Sequence, residues 1–142
     1  MIGSAEDMLQ RGSALLEALL ATHGFVFKAL GAGHSSGGDF ACGEFRKHDR
    51  WLDLHFRYTL GLVSYHLSNS EMSHENYMRS VSGRPHSGHY PGFSSDPLDG
   101  FRHSLLDLEE HGSEFLAGSD ECLISRIEKA NSLPTVRFGV PD

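Results

Sequence analysis

Hydrophobic residues recur at helical spacing near the start of the chain. Between residues 5 and 23 an apolar side chain appears every three or four positions, and Ser4 and Gly24 bracket this stretch. Serine is a favoured residue at a helix N-terminus, and glycine is favoured just past a C-terminus. The pattern predicts a helix over 5–23, with an apolar stripe formed by Met8, Leu15, Leu16 and Leu19.

The spacing of apolar residues changes to two from Phe25 onward. Four segments read as strands: "FVFKAL", "DFACGEFRK", "RWLDLHFRY" and "LGLVSYHL". Short polar links such as "KHDR" at 47–50 favour a four-stranded antiparallel meander over 25–67. In the second segment Phe40 and Cys42 share one parity and Phe45 has the other, so we expect a bulge at Gly43.

The third segment alternates along its whole length. One face carries Leu52, Leu54, Phe56 and Tyr58, and the other carries Trp51, Asp53, His55 and Arg57. Such alternation is typical of an antiparallel strand with one buried and one open face.

Helical patterns return in the second half of the chain. We expect a helix over 73–82 with Ser73 as its N-cap, a long loop over 83–97, two helices within 97–131 and an extended tail over 133–142. The first of these two helices has an apolar stripe that continues to Phe115, and Ser119 is the expected N-cap of the second. The whole chain, 1–142, is then a single α+β domain: an N-terminal helix, the meander, and three helices packed on one sheet face.

The composition narrows the class of protein. The chain has 142 residues, of which 39% are hydrophobic, enough for one core. The formal net charge is −7, and residues 70–142 contain twelve acids against six Lys or Arg. This excess of acid disfavours general nucleic-acid binding. The polar, acidic N-terminus and the lack of a long apolar run lead us to expect a cytoplasmic protein without a membrane span, with Cys42 and Cys122 as thiols.

A G-x-S-x-G pattern at Gly33–Gly37 raises the question of a catalytic Ser35. A nucleophile elbow needs a helix directly after the serine, and the phosphate loops that this glycine-rich stretch also resembles need one too. The residues that follow, "GDFACGEFRK", are typical of a strand. We therefore expect a connection between two strands, with no catalytic serine and no cofactor.

Ten histidines make metal binding worth considering. His86 and His89 have H-x-x-H spacing in the long loop, but they lack a cysteine partner or a helical HExxH context, so no metal is expected. A row of polar residues follows Pro97 at helical spacing: His103, Asp107, Glu110 and Glu114. It lies opposite an apolar stripe and is interpreted as a solvated acidic face.

The polar face of the predicted sheet holds the remaining candidates. Asp53, His55 and Arg57 project together, and Glu44 can reach the same face from the second strand. This set suits general acid–base chemistry in a small hydrolase or nuclease, and it equally suits cross-strand ion pairs on an exposed sheet.

An aromatic residue on this face shifts the balance toward binding. Trp51, with His55, Arg57 and Arg46, has the composition of an interaction hot spot, and Tyr90 and Phe93 of the long loop can add to it. A tail that covers Trp51 is the competing interpretation.

Three segments resemble a family of small, uncharacterised bacterial α+β proteins. They are "GEFRKHDRWLDLHFRYTLGLVSYHL", "SHENYMRSV" and "YPGFSSDPLDGFRHSLLDLEEHG". In size and element order the chain is also similar to bacterial immunity proteins, an analogy of architecture alone. The leading hypothesis is a non-enzymatic module that binds a protein partner, of immunity or regulatory type, and a homodimer stays open.

Overall fold

The computed structural model describes residues 4–35, 38–57, 59–82 and 96–133. Within them the chain is an α+β protein with one antiparallel sheet. The helices are α1 (Ala5–Thr22), α2 (His74–Ser82), α3 (Asp99–His111), α4 (Ser113–Ala117) and α5 (Asp120–Asn131). The strands are β1 (Val26–Ser35), β2 (Gly38–Lys47), β3 (Arg50–Arg57), β4 (Thr59–Leu67) and β5 (Ser70–Ser73). No helix in these ranges is long and apolar enough to cross a membrane.

The sheet is a meander in the order β1-β2-β3-β4-β5, with each neighbouring pair antiparallel. The four-stranded prediction was wrong, because the described residues form five strands. β5 is four residues long and buries only Met72, so its sequence shows no period of two. Two-residue turns link β2 to β3 and β4 to β5, with His48 and Ser68 at φ 56° and 53°. Left-handed residues of this kind are usual in tight hairpins.

Four helices, not three, follow the sheet in the described residues, because the predicted long helix breaks at Gly112. A Cβ at this position would lie 2.7 Å from the carbonyl oxygen of Leu108. The Gly112 N–H donates to that same carbonyl and completes the last turn of α3, and α4 begins one residue later.

The bulge lies in β1 rather than in β2. Ala29 pairs with Gly43 and Gly31 pairs with Cys42, so Leu30 is the extra residue. β2 keeps one parity throughout its pairing with β3, and Phe40 and Phe45 therefore belong on opposite faces. The mixed parity that predicted a bulge at Gly43 instead reflects an aromatic residue, Phe40, on the open side of the sheet.

The core lies between one face of the sheet and the helices. In β3, Leu52, Leu54 and Phe56 are buried, as the alternation predicted, and Tyr58 lies outside the described residues. α1 crosses α3 closely, because Gly12 has no side chain where the ring of Phe101 approaches. Ser4 caps α1, Ser73 caps α2 and Ser119 caps α5, each hydroxyl accepting a backbone N–H three residues on.

Buried polar groups tie the helices to the sheet. Arg50 is buried and donates to the carbonyl oxygens of Glu114 and Phe115, at 3.3 and 2.7 Å, and to the carboxylate of Asp120 at 2.7 Å. Lys47 donates to the carbonyl of Leu116 at 3.0 Å. Both side chains thereby satisfy carbonyl groups near the C-terminus of α4.

The acidic row on α3 and α4 is not wholly solvated, which corrects the prediction for two of its members. Asp107 Oδ2 lies 2.8 Å from Nε2 of the buried His74, whose Nδ1 lies 2.6 Å from the hydroxyl of Tyr65. Glu114 accepts a hydrogen bond from Arg126 at 2.9 Å. Asp107 thus contacts α2 and Glu114 contacts α5, whereas Glu110 is exposed, as the prediction had it.

Candidate functional site: the open face of the sheet

The side chains on the other side of the sheet form a second surface, here named the open face. It includes Phe40, Cys42, Glu44 and Arg46 of β2, Trp51, Asp53, His55 and Arg57 of β3, Ser64 and His66 of β4, and Glu71 of β5. Val26 and Lys28 of β1 pair with Arg46 and Glu44 and lie on the same side. The contacts described below each join two residues of the sheet itself. Six of the predicted site residues therefore lie on the open face, and the helices pack on the opposite face of the sheet. The six are Glu44, Arg46, Trp51, Asp53, His55 and Arg57.

Three planar side chains form a row at the centre of the open face. The register places Arg46 opposite Trp51 and Trp51 opposite His66. The guanidinium carbon of Arg46 lies 4.2 Å from the centroid of the Trp51 ring. On the other side, the Trp51 and His66 rings are 4.7 Å apart and within 5° of parallel. The Trp51 ring is therefore packed between Arg46 and His66, and the residue is partly exposed.

Carboxylates hold both ends of this row. Glu44 accepts a hydrogen bond from Arg46 Nε at 2.7 Å, and this bond raises the pKa of Arg46 above its usual value. His66 Nε2 lies 2.8 Å from Asp53 Oδ2, and His66 Nδ1 lies 3.6 Å from Glu71 Oε2. The orientation of each outer side chain is thus set by a neighbouring carboxylate.

His66 was not among the predicted site residues. The signal was present, because pairing the third and fourth alternating segments across their short turn places His66 opposite Trp51. Finding it required the register between two strands, which neither segment specifies alone.

A second cluster occupies the far end of β3. The rings of Phe40 and His55 are 6.0 Å apart and within 7° of parallel, and the guanidinium carbon of Arg57 lies 5.5 Å from the Phe40 centroid. Phe40 was also missed as a site residue, because its parity was attributed to a bulge.

The four residues of the catalytic alternative share the open face but not a common point. Asp53 contacts His66, Glu44 contacts Arg46, and His55 and Arg57 both contact Phe40. Glu44 and Asp53 lie opposite each other in the register of β2 and β3, but each carboxylate is engaged by a different side chain.

Nucleophiles beside these residues are not activated. Burial raises the pKa of the Cys42 thiol, and Asp53 raises it further, so the thiolate is disfavoured. Ser64 Oγ lies 3.0 Å from His66 Nε2, but Asp53 approaches the same nitrogen. A triad needs an acid hydrogen-bonded to the opposite nitrogen, where it orients the base. Glu71 is on that side, but its carboxylate oxygen is 3.6 Å from His66 Nδ1, which is too long for such a bond.

The remaining sequence candidates are the G-x-S-x-G pattern, the loop residues and the metal ligands. β1 extends through Ser35 and β2 begins at Gly38, so extended chain lies on both sides of the G-x-S-x-G pattern, as predicted. The loop candidates His86, His89, Tyr90 and Phe93, and the tail that was expected to be extended, lie outside the described residues. In the part of the chain that the structure describes, no three His, Cys, Asp or Glu residues are grouped to hold a metal ion.

Comparison of the chain with protein-family models, with curated proteins and with solved structures found no match. The interpretation of the open face therefore depends on its geometry alone.

Proposed function

We propose that this protein is a non-enzymatic module that binds a protein partner through its open face. The observation that carries the proposal is the row of Arg46, Trp51 and His66, in which three planar side chains are already stacked before any partner arrives. Tryptophan and arginine are the residues most enriched at binding hot spots. Because their rotamers are fixed by stacking and by contacts with carboxylates, little side-chain entropy remains to be lost on association.

Charge pairing on the open face fits binding better than turnover. Glu44 and Asp53 are each engaged by a neighbouring side chain, so neither is positioned to act on a substrate together with His55. A catalytic site brings a base, its orienting group and a reacting atom to one point. The alternative, a small hydrolase or nuclease that uses Asp53, His55, Arg57 and Glu44, has less support because these groups face different partners.

The class of partner follows from charge. Exposed acids line the helices away from the open face, at Glu109, Glu110, Glu121 and Glu128. An acidic body with an aromatic contact surface suits a basic protein partner, which long-range attraction would bring to the surface faster. A protein of immunity or regulatory type would use such a surface, and that is the role we propose.

The experiment compares capture of proteins by four immobilised forms of the chain: wild type, Trp51→Ala, Arg46→Ala and Arg102→Ala. Arg102 is the matched control, because its side chain is 47% exposed, against 45% for Arg46, and it lies on α3. Captured proteins from a lysate of the source organism are identified by mass spectrometry. The affinity of a purified hit is then measured by calorimetry.

We expect one partner that wild type and Arg102→Ala retain equally. Removing a hot-spot side chain costs at least about 2 kcal/mol, so Trp51→Ala and Arg46→Ala should weaken its binding by about thirtyfold. Equal affinity of all four forms would place the contact elsewhere and contradict the proposal. Turnover of a substrate that His55→Ala abolishes would favour the enzymatic alternative instead.

A further inference from the structure

One arginine on the open face differs from the other arginines in the described ranges. Each of the others makes a hydrogen bond or an ion pair with a neighbouring side chain: Arg11, Arg46, Arg50, Arg79, Arg102 and Arg126. Arg57 has no such partner among the described residues, although it is partly buried. Because a guanidinium is always charged and has five N–H donors, those of Arg57 are available to another molecule.

An aromatic ring supports Arg57. Its guanidinium carbon lies 5.5 Å from the centroid of the Phe40 ring, which is itself within 7° of parallel to His55. Phe40 lies over the backbone of Gly33, where a Cβ would be 2.9 Å from the ring. A contact with an aromatic face leaves the N–H groups of a guanidinium free, since they lie in its plane.

A comparison with Arg46 shows what Arg57 lacks. Both arginines lie against an aromatic ring of the open face, but Arg46 Nε also donates to the carboxylate of Glu44 at 2.7 Å. The acids closest in sequence to the contacts of Arg57 are Asp39 and Asp53, and each is engaged by a histidine, at 2.7 and 2.8 Å. Within the described residues, no carboxylate therefore does for Arg57 what Glu44 does for Arg46.

The neighbouring strand leaves room beside this arginine. Gly31 and Gly33 of β1 lie opposite Cys42 and Phe40, so these two positions add no side chain to the open face. A Cβ at Gly31 would come within 4 Å of no atom of the described residues, its chain neighbours apart. A side chain of another molecule can therefore approach Arg57 and Phe40 over β1.

We propose that Arg57 binds an acidic side chain, aspartate or glutamate, of the protein partner. An arginine and a carboxylate can form two parallel hydrogen bonds, which fix direction as well as distance. The inference rests on the proposed function for the source of the carboxylate, since a partner that is basic overall still carries acidic side chains. Arg57 is about 20 Å along β3 from Trp51. A second contact at that distance sets the orientation of the partner on the open face.

The test uses a peptide as the probe. The isotope-labelled full chain is titrated at low salt and neutral pH with a blocked peptide that contains one glutamate, with the same peptide carrying glutamine, and with inorganic phosphate. Wild type, Arg57→Gln and Arg102→Gln are compared by NMR, which also shows that each variant is folded. Arg102 is the control, because it is an exposed arginine that Asp96 already binds at 2.6 Å. The titration involves no partner, so its failure is distinct from a failure of the capture experiment.

We expect the glutamate peptide to shift the signals of Phe40, His55 and Arg57 along a saturable curve in wild type and in Arg102→Gln. Arg57→Gln should bind this peptide about tenfold more weakly, because it loses a hydrogen bond between charged groups. The glutamine peptide should leave the same signals unchanged. Signals that stay still in wild type, that move equally in Arg57→Gln, or that respond to phosphate alone would overturn the inference.

Discussion

A single added methyl group tests how α1 packs on α3. Gly12 lies in the middle of α1, where alanine is normally favoured over glycine by about 1 kcal/mol. A Cβ at this position would lie 2.3 Å from two ring carbons of Phe101. Normal carbon contacts are about 3.5 Å, so the ring would have to move by about 1.2 Å.

Phe101 has no space for that movement. Its side chain is fully buried and stacks on Phe56, with ring centroids 5.9 Å apart. Overpacking of this kind costs up to about 3 kcal/mol, which outweighs the gain in helix propensity. We therefore expect Gly12→Ala to lower the free energy of unfolding by about 2 kcal/mol, and Tm by about 6 °C for a chain of this length.

Urea unfolding followed by circular dichroism measures this change. The control is Gly61→Ala, in which the new Cβ meets nothing closer than a carbonyl oxygen at 4.0 Å, and we expect it to be neutral or slightly stabilising. In a Phe101→Leu background the cost of Gly12→Ala should shrink, because the colliding ring is gone. A Gly12→Ala protein as stable as wild type, or a penalty that persists without the ring, would refute the packing described here.

Three further substitutions test the buried polar groups and their partners. Arg50→Ala removes a side chain that is 6% exposed and bonded to α4, and should cost about 3 kcal/mol. Asp120→Asn keeps an acceptor at a 72% exposed position and should cost less than about 1 kcal/mol; equal losses in urea unfolding would contradict this ranking. Burial raises the pKa of Tyr77 to about 12 from 10.0. The protonated Tyr77 hydroxyl therefore stabilises the folded state fully below pH 10, where tyrosine is protonated in the unfolded chain as well. Between pH 10 and pH 12 this stabilisation is lost, at about 1.4 kcal/mol of unfolding free energy per pH unit. Tyr77→Phe should flatten the fall in stability over this interval, and an unchanged slope would show that another group titrates there.

Local signals in the sequence predicted the elements that depend on their own residues. The structure confirms three predicted N-caps, Ser4 of α1, Ser73 of α2 and Ser119 of α5. They were predictable because an N-cap needs only a hydroxyl and the backbone N–H groups that follow it. The alternation in β3 predicted both its buried face and its open face, since a strand has a fixed period of two.

The features that sequence reasoning missed depend on contacts between distant segments. β5 is too short to show a period, and its strand conformation follows from pairing with β4. The bulge at Leu30 is visible only once β1 is aligned with β2. His66 and Phe40 belong to the open face because of the register between neighbouring strands, which no single segment encodes.

The same register builds the core and the open face, so neither can change without the other. A shift of β3 by one residue would move Leu52 to the open face and drive Trp51 into the core, away from Arg46 and His66. Burial of Leu52 and Leu54 on one side therefore fixes the stacked row on the other. The positions of the side chains on the open face are fixed by this register, and a substitution that leaves the core intact, such as Trp51→Ala, can remove a contact from the open face without altering the fold.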